Sequence, residues 1–388
     1  MPHSGNNSID LEIIRLQESA RHSADPSPPF EQLGWAYVQK ARASFDQGFY
    51  KLAEQCAECI ASQRPDSPEA LLLKGYVLCN LHCFKEAEAI ARPLCEARSA
   101  PFDYGLLGDA LMEQGRLNEA IDAYQQMVDL KPGPQAYTRI AHVRWLKGDL
   151  EGAIEMMRKA AGAMGTRDAE SAAWAYSRLA LYELQAGSMQ IADRACEAAL
   201  NLQRDYAPAL MVRARISLAQ NRNEQAAQLM QRAATINPLP EYKWMLAESL
   251  KAAGHSREAQ DVDQEIMDRG LGDDPRTAAL FLTTRGVRLA DALSLAVKET
   301  GVRGDVFTLD ALAWALAATG KAAEARDQIN RALAEGTQDA RLFYHAGTIL
   351  ARAGQKQQAR LMLLKAAAIK QMLLPTEKEG LSSELKSL

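Results

Sequence analysis

The sequence predicts an all-α fold, an α-solenoid of about ten helix-turn-helix repeats, and three recurring marks predict it. The first is a Gly-x-x-x-x-Ala spacing. It appears in "GRLNEAIDAY" (115–124) and again at Gly48/Ala53, Gly148/Ala153, Gly187/Ala192, Gly254/Ala259, Gly320/Ala325 and Gly354/Ala359. These glycines lie 67, 33, 39, 67, 66 and 34 residues apart, so each wide gap holds two units. His82 before Ala87 and Asn221 before Ala226 fill two of the gaps, and Gly286–Ala292, one residue longer, fills the third. Gly, Asn and His tolerate a positive φ, so one backbone need explains all three letters: a residue that ends one helix in the left-handed region and starts a tight turn. The second mark is a small residue seven positions before each turn: Ala41, Gly75, Gly108, Ala141, Ala180, Ala214, Ala247, Ala313 and Gly347, with Leu280 the one exception. Small residues there let antiparallel helices approach closely. The third is proline seventeen positions after the turn, at Pro65, Pro132 and Pro238, where it ends the second helix.

Taken in order, residues 1–33 are predicted to form an N-terminal capping helix and a Pro-rich linker. Ser8 can cap a helix that puts Ile9, Ile13 and Leu16 on one side, and "DPSPP" (25–29) breaks the chain after it. Repeats are predicted to start near 34, 68, 101, 134, 173, 207, 240, 273, 306 and 340, filling residues 34–373. Their helices show apolar spacings of three and four, as in Leu117, Ile121, Tyr124 and Val128. "GAMGTRDAE" (162–170) stretches one period and reads as a longer loop rather than a domain boundary. Residues 374–388 are predicted to form a C-terminal capping helix. It begins at Pro375 and carries Leu381 and Leu385 at a spacing of four, and it would cover the apolar face of the last repeat.

On these letters the chain resembles the tetratricopeptide repeat family, over roughly residues 34–373 and at that family's 34-residue period. The resemblance is strongest in "FDYGLLGDALMEQGRLNEAIDAYQQMVDLKP" (102–132) and weakest in the unit 273–305. The family's tryptophan at the start of the first helix is missing from its usual place. "FTLDALAWAL" and "DARLFYHAG" are similar, less specifically, to bacterial arrays of this class. The resemblance implies a right-handed superhelix whose first helices line a concave groove. Periodicity by itself implies only stacked hairpins.

Composition fits such a chain. It is 47% hydrophobic and 24% charged, with a formal net charge of −4. That balance carries no electrostatic footprint for nucleic acid, so none is expected as partner. No apolar run approaches the length of a membrane span, and "MPHSGNNSIDLEIIRL" lacks the basic and apolar regions of a signal peptide. The expectation is a cytoplasmic protein, or an extracytoplasmic one if a signal segment precedes this numbering. Cys56 and Cys59 form C-x-x-C, with Cys79, His82, Cys83 and Cys95 following. They lie inside helices with no second C-x-x-C, so they read as core thiols rather than zinc ligands. No H-E-x-x-H, G-x-S-x-G, phosphate loop or dinucleotide fingerprint appears. No catalytic residue, cofactor or metal is expected, and the chain is read as non-enzymatic.

What remains is the groove. Counted back from their turns, Trp35 and Trp174 stand at 13, Trp244 at 10, Trp314 at six and Trp145 at three. Those offsets form one helical stripe about 80° wide, centred about 130° from the stripe that buries the hairpin. Tyr76, Phe281 and Phe307 share that face. Such rings either stack on the neighbouring first helix or anchor a partner. Arg139, His142, Trp145, Trp174, Arg178 and Arg215 would form a basic aromatic patch in repeats four to six, with Trp244 beside it, while Glu69, Asp109 and Glu113 make repeats two and three acidic. The Lys and Asn pairs by which some family members hold chaperone tails are not matched. The function expected is a protein–protein interaction scaffold or adaptor. Its partner would be a protein or peptide with acidic groups or a C-terminal carboxylate. Two alternatives stay open: a sensing module for a small ligand or peptide, favoured by a closed pocket, and the repeat subunit of an envelope assembly or transferase complex. An open continuous channel would favour the scaffold.

Overall fold

A computed structural model describes residues 3–165, 168–272 and 274–388. Among these residues there are α-helices and short helical turns but no strand. Contacts divide the chain into two compact units, Met1–Ala136 and Tyr137–Leu388. The first holds α1 (Ser8–His22), α2 (Ser27–Ser44), α3 (Gly48–Gln63), α4 (Pro68–Asn80), α5 (Phe84–Arg98), α6 (Pro101–Glu113) and α7 (Leu117–Leu130). The second opens within α8 (Pro134–Leu146). It continues through α9 (Leu150–Ala163), α10 (Ala169–Gln185), α11 (Met189–Leu202), α12 (Ala207–Ala219), α13 (Asn223–Ile236), α14 (Pro240–Ala252) and α15 (Ser256–Glu265). Then come α16 (Pro275–Arg285), α17 (Leu289–Thr300), α18 (Val306–Ala318), α19 (Ala322–Leu333), α20 (Ala340–Arg352), α21 (Lys356–Ala368) and α22 (Pro375–Ser387). Consecutive helices pack as hairpins, the arrangement of an α-solenoid of tetratricopeptide type.

One turn is built again and again. Gly115 has φ 78°, and behind it the Arg116 N–H donates to the Leu111 carbonyl at 3.0 Å. The same six-residue closure joins Asp149 to Arg144, Ser188 to Glu183, His255 to Leu250, Lys321 to Leu316 and Gln355 to Leu350, each behind a glycine of positive φ. His82 (φ 62°) and Asn221 (φ 58°) take the glycine's place as the repeat spacing predicts, with Cys83 bonded to Leu78 and Arg222 to Ser217. The closure satisfies a carbonyl that the end of the first helix would otherwise leave unpaired. Gly286 (φ 68°) is followed by Arg288 at φ 46°, which accounts for the extra residue in that turn.

The first hairpin differs. Gly48 opens α3, and the left-handed residue is Phe45 (φ 57°), so the Gly48/Ala53 spacing is not a turn of this kind. At the N-terminus Asn7 rather than Ser8 caps α1, accepting from the Asp10 N–H at 2.9 Å. The Pro-rich stretch starts α2 instead of standing before a helix: Pro28 and Pro29 lie in its first turn, where a missing N–H costs nothing. The stretched period spends its extra length on a 17-residue α10 and the preceding connection, of which Thr166 and Arg167 lie outside the described residues. Asp273, where the weakest repeat is predicted to start, also lies outside them. Just before it, α15 ends in a π turn, Ile266–Gly270.

The helices form two layers in each unit. In the first unit α2, α4 and α6 touch one another and their own hairpin partners. In the second, α10 touches α12, α14 touches α16, and α18 touches both α16 and α20. The second helices pack mainly on the first helices around them. The first helices are therefore the inner, more crowded layer, and the small residues serve that crowding. A Cβ on Gly108 would meet the Tyr124 ring at 2.3 Å, and one on Gly75 would meet Leu106 of the next first helix at 2.4 Å. No helix is long and apolar enough to cross a membrane among the described residues.

Replacing Gly115 by Val should lower stability by about 1–3 kcal/mol, because a β-branched residue is strained at positive φ. Gly115→Asn should cost less, since Asn221 occupies the equivalent turn with φ 58°. Chemical denaturation of the two variants tests the order, and equal losses would count against the turn as the cause.

The candidate binding face of the second unit

Each groove residue predicted from sequence sits on an inner helix of the second unit: Arg139, His142 and Trp145 on α8, Trp174 and Arg178 on α10, Arg215 on α12 and Trp244 on α14. The spacing of a 3.6-residue helix brings Arg178 under Tyr182 one turn later and aims both at α8. The Arg178 guanidinium lies over the Tyr182 ring at 5.4 Å and the Trp145 ring at 5.9 Å. It also donates to the His142 Nδ1 at 3.3 Å. That nitrogen is therefore the acceptor, and the His142 ring is neutral. Burial first, and the Arg178 charge second, push its pKa down to about 3. Arg139, Trp174 and Arg178 are half-buried.

Trp145 reaches well beyond its neighbours. It is only 7% exposed and stacks on His142 (5.6 Å), on Tyr182 (5.8 Å) and on Phe307 of α18 (5.6 Å). Its indole N–H donates to Gln185 Oε1 at 2.8 Å. The Phe307 contact is one of a set joining α8 and α10 to the far end of the same unit. Thr337 donates to the Leu146 carbonyl, the Gln185 amide donates to the Gln338 carbonyl, and Lys147 pairs with Glu335 at 2.6 Å. Gly148 lies so close to the Gly336 carbonyl that a Cβ would stand 2.5 Å from it. The second unit thus closes on itself, and Trp145 lies at the seam. Other tryptophans of the stripe pack on the next inner helix: Trp35 edge-on to Tyr76, Trp244 edge-on to Phe281, and Trp314 tilted against Tyr344 and stacked on His345.

Segment 370–388 lies against this inner layer. Arg215 donates to the Met372 carbonyl at 2.9 Å, and the Gln371 amide donates to the carbonyls of Leu184 (3.1 Å) and Gln185 (3.0 Å). The Thr376 N–H donates to Glu248 at 2.9 Å, and Arg341 pairs with Glu377. α22 packs on α20 and α21 and also on α14. Trp244, 2% exposed, lies under the Arg341 guanidinium at 4.8 Å, and its indole nitrogen has no partner among the described residues. Burial alone would raise the Glu377 carboxyl, but Arg341 and the Leu374 N–H hold it below its usual value. Deeper in the layer, His345 meets Asp310 at 3.0 Å, both fully enclosed. None of these long-range partners carries a sequence signal. Glu377 alone has a local one, as the third residue of a helix that begins with Pro375.

The cysteines are scattered. Cys56, Cys95 and Cys196 are buried, and burial pushes each thiol up to about 12. Cys59, three residues after Cys56, is exposed. In the first unit Glu69 pairs with Arg98 at 3.4 Å and Asp109 accepts from Tyr124 at 2.8 Å.

Residues 106–173 and 177–239 match the family model described as tetratricopeptide repeat. No curated protein sequence matches the chain. Among solved structures, the chain is similar to the human IFIT1 dimer with PPP-AAAA, at 12% identity and a TM-score of 0.51, covering 94% of this chain and 96% of that one. The human IFIT1 dimer with m7Gppp-AAAA gives 12% identity and a TM-score of 0.53, covering 95% and 92%. At that identity the likeness shows the fold alone. It is enough to correct one expectation. A net charge of −4 was expected to exclude nucleic acid, yet proteins of this fold and length are seen with PPP-AAAA and m7Gppp-AAAA. The physical reason is that a partner meets a local field and not a whole-chain sum. Here Arg139, Arg178 and Arg215 all stand on the inner helices of repeats four to six.

Two outcomes are expected at this face. Trp145→Ala should cost about 3–5 kcal/mol, as for other buried tryptophans, and hydrogen exchange at 334–339 should rise with it. Protection unchanged there would show that the seam does not depend on the ring. The second concerns pH. The folded pKa of His142 lies below its ordinary value of 6.5. Between about 3 and 6.5 the unfolded chain therefore takes up a proton that the folded chain does not. The stability tied to the neutral ring is complete above pH 6.5 and is lost as pH falls toward 3. The thermal midpoint of His142→Gln should fall less steeply than that of the unaltered protein between pH 6.5 and 4; parallel curves would refute the assignment.

Proposed function

We propose that this chain, whose residues 106–173 and 177–239 match the tetratricopeptide-repeat family model, is a non-catalytic interaction scaffold holding a protein or peptide partner against the inner helices of its second unit. The carrying observation is the Arg178 guanidinium, fixed over the Tyr182 and Trp145 rings and bonded to His142. A cation held in place on an aromatic platform loses little freedom when it meets a carboxylate, which makes such a residue a strong anchor. Arg139, Trp174 and Trp244 complete the proposed contact set with His142, Trp145 and Arg215. Arg215 already holds a main-chain carbonyl, that of Met372, so peptide backbone suits this face. The preferred partner is acidic or presents a C-terminal carboxylate.

Closure of the second unit shapes this reading. The inner face is not an open channel, so a partner must displace what covers it. By the criterion of an open channel this counts for the ligand- or peptide-sensing alternative, and a scaffold on this face has to be one whose partner displaces the covering segment. A second reading, favoured by the oligonucleotides in the IFIT1 structures, is that the same arginines meet phosphates.

Arg139→Ala/Arg178→Ala in the full chain should abolish recovery of the partner captured by the unaltered protein, with helical circular dichroism unchanged and the protein still folded at the assay temperature. Undiminished recovery sinks the proposed patch. Binding of PPP-AAAA that the double variant loses, with no protein partner recovered by either form, decides for the phosphate reading.

A further inference from the structure

We propose that α12, α14 and α20 form a site for a short acidic peptide of the form Pro-x-Glu, and that residues 371–377 of this chain are its resident occupant, displaced by an external peptide of the same chemistry. The inference rests on the scaffold reading and adds to it the identity of the ligand class and its competitor. The contacts themselves argue for it. Arg215 grips a main-chain carbonyl at Met372, Glu248 takes a main-chain N–H at Thr376, and Arg341 takes the Glu377 carboxylate. Gln371 satisfies two carbonyls at the end of α10, where helix carbonyls have no partner of their own. Backbone groups and one carboxylate are what any peptide of this pattern offers, whether or not it is joined to the repeats.

The receiving groups need an occupant. Glu248 is fully enclosed, and its second oxygen accepts from Arg285, which also reaches the Thr376 hydroxyl at 3.5 Å. With the segment gone, one Glu248 oxygen and the Arg341 and Arg215 guanidinia lose partners in a poorly hydrated place, which is costly. Arg341 lies over the Trp244 ring at 4.8 Å, which helps hold it toward the carboxylate position. Leu373 and Leu374 of the segment are buried, so the occupant also brings an apolar side. Glu248 stands on α14 and Asp310 on α18, while Asp339 caps α20. A carboxylate that must receive an N–H suits a peptide and repels a phosphate chain, so the peptide is favoured here over an oligonucleotide. A tethered occupant acts at an effective concentration of roughly millimolar, so an outside peptide succeeds when its own affinity is high or the tether's contacts are weakened.

The test uses the full chain and a fluorescein-labelled synthetic peptide of residues 369–388. Two independent changes release the resident segment. Glu377→Gln removes the charge facing Arg341, and Gln371→Glu sets a carboxylate against two carbonyls. Hydrogen exchange at 371–377 should rise in both variants, and both should bind the probe at least tenfold more tightly than the unaltered protein. A probe carrying Glu377→Gln should bind the released proteins at least tenfold more weakly than the unaltered probe, and that comparison needs no change in the receiving protein. The proposal is overturned if the segment stays protected in both variants, if probe affinity does not rise where the segment has opened, or if PPP-AAAA binds the released variants more tightly than the peptide does. Arg139 and Arg178 lie outside the contacts being probed, so loss of the patch on α8 and α10 leaves this result standing, and the reverse also holds.

Discussion

The repeats after the first hairpin depend on one constraint: the residue that ends the first helix must enter the left-handed region so that the next N–H can close on a carbonyl five residues back. That closure sets the angle at which the second helix leaves. It recurs from His82 to Gly354 with bond lengths of 2.8–3.1 Å. Each hairpin is therefore nearly the same object, and like objects stacked in order put their first helices in one layer. The inner layer is crowded as a result, which is why glycine or alanine stands seven residues before the turn and why aromatic rings meet between neighbouring first helices.

The fold was legible in the sequence because its determinants are local. Positive φ admits few residue types, and a close helix approach admits few sizes, so both leave a letter at a fixed beat. Gly48 shows how such a beat misleads. Its spacing matches the rest, yet it opens a helix, where glycine needs no special φ, while Phe45 takes the left-handed conformation without any compositional sign. The candidate face was half legible. Helical periodicity placed Trp145 and Arg178 on inner helices and brought them together. It could not place Phe307 beside Trp145 or Met372 beside Arg215, because a repeat period encodes neighbours in sequence and says nothing of contacts 162 or 157 residues apart.

Net charge misled in another way. A formal charge of −4 averages over 388 residues, whereas a partner meets a few side chains at a time. On the inner layer cations and anions interleave with fixed roles: Arg285 is shared by Glu248 and Asp263, and Arg341 lies between the Trp244 ring and Glu377. What this face accepts depends on donor and acceptor positions more than on the sign of the total.

The seam between α8 and the loop before α20 also limits how this array can evolve. An open stack of repeats can gain or lose a unit anywhere, since each repeat answers only to its neighbours. Here Trp145 must find Phe307, Gly148 must fit against Gly336, and Lys147 must reach Glu335. Inserting one 34-residue hairpin between them would carry the far end past its mate, and deleting one would leave it short. Between α8 and α20 the number of repeats is therefore not free to drift, as the number of staves is fixed once a barrel has been hooped.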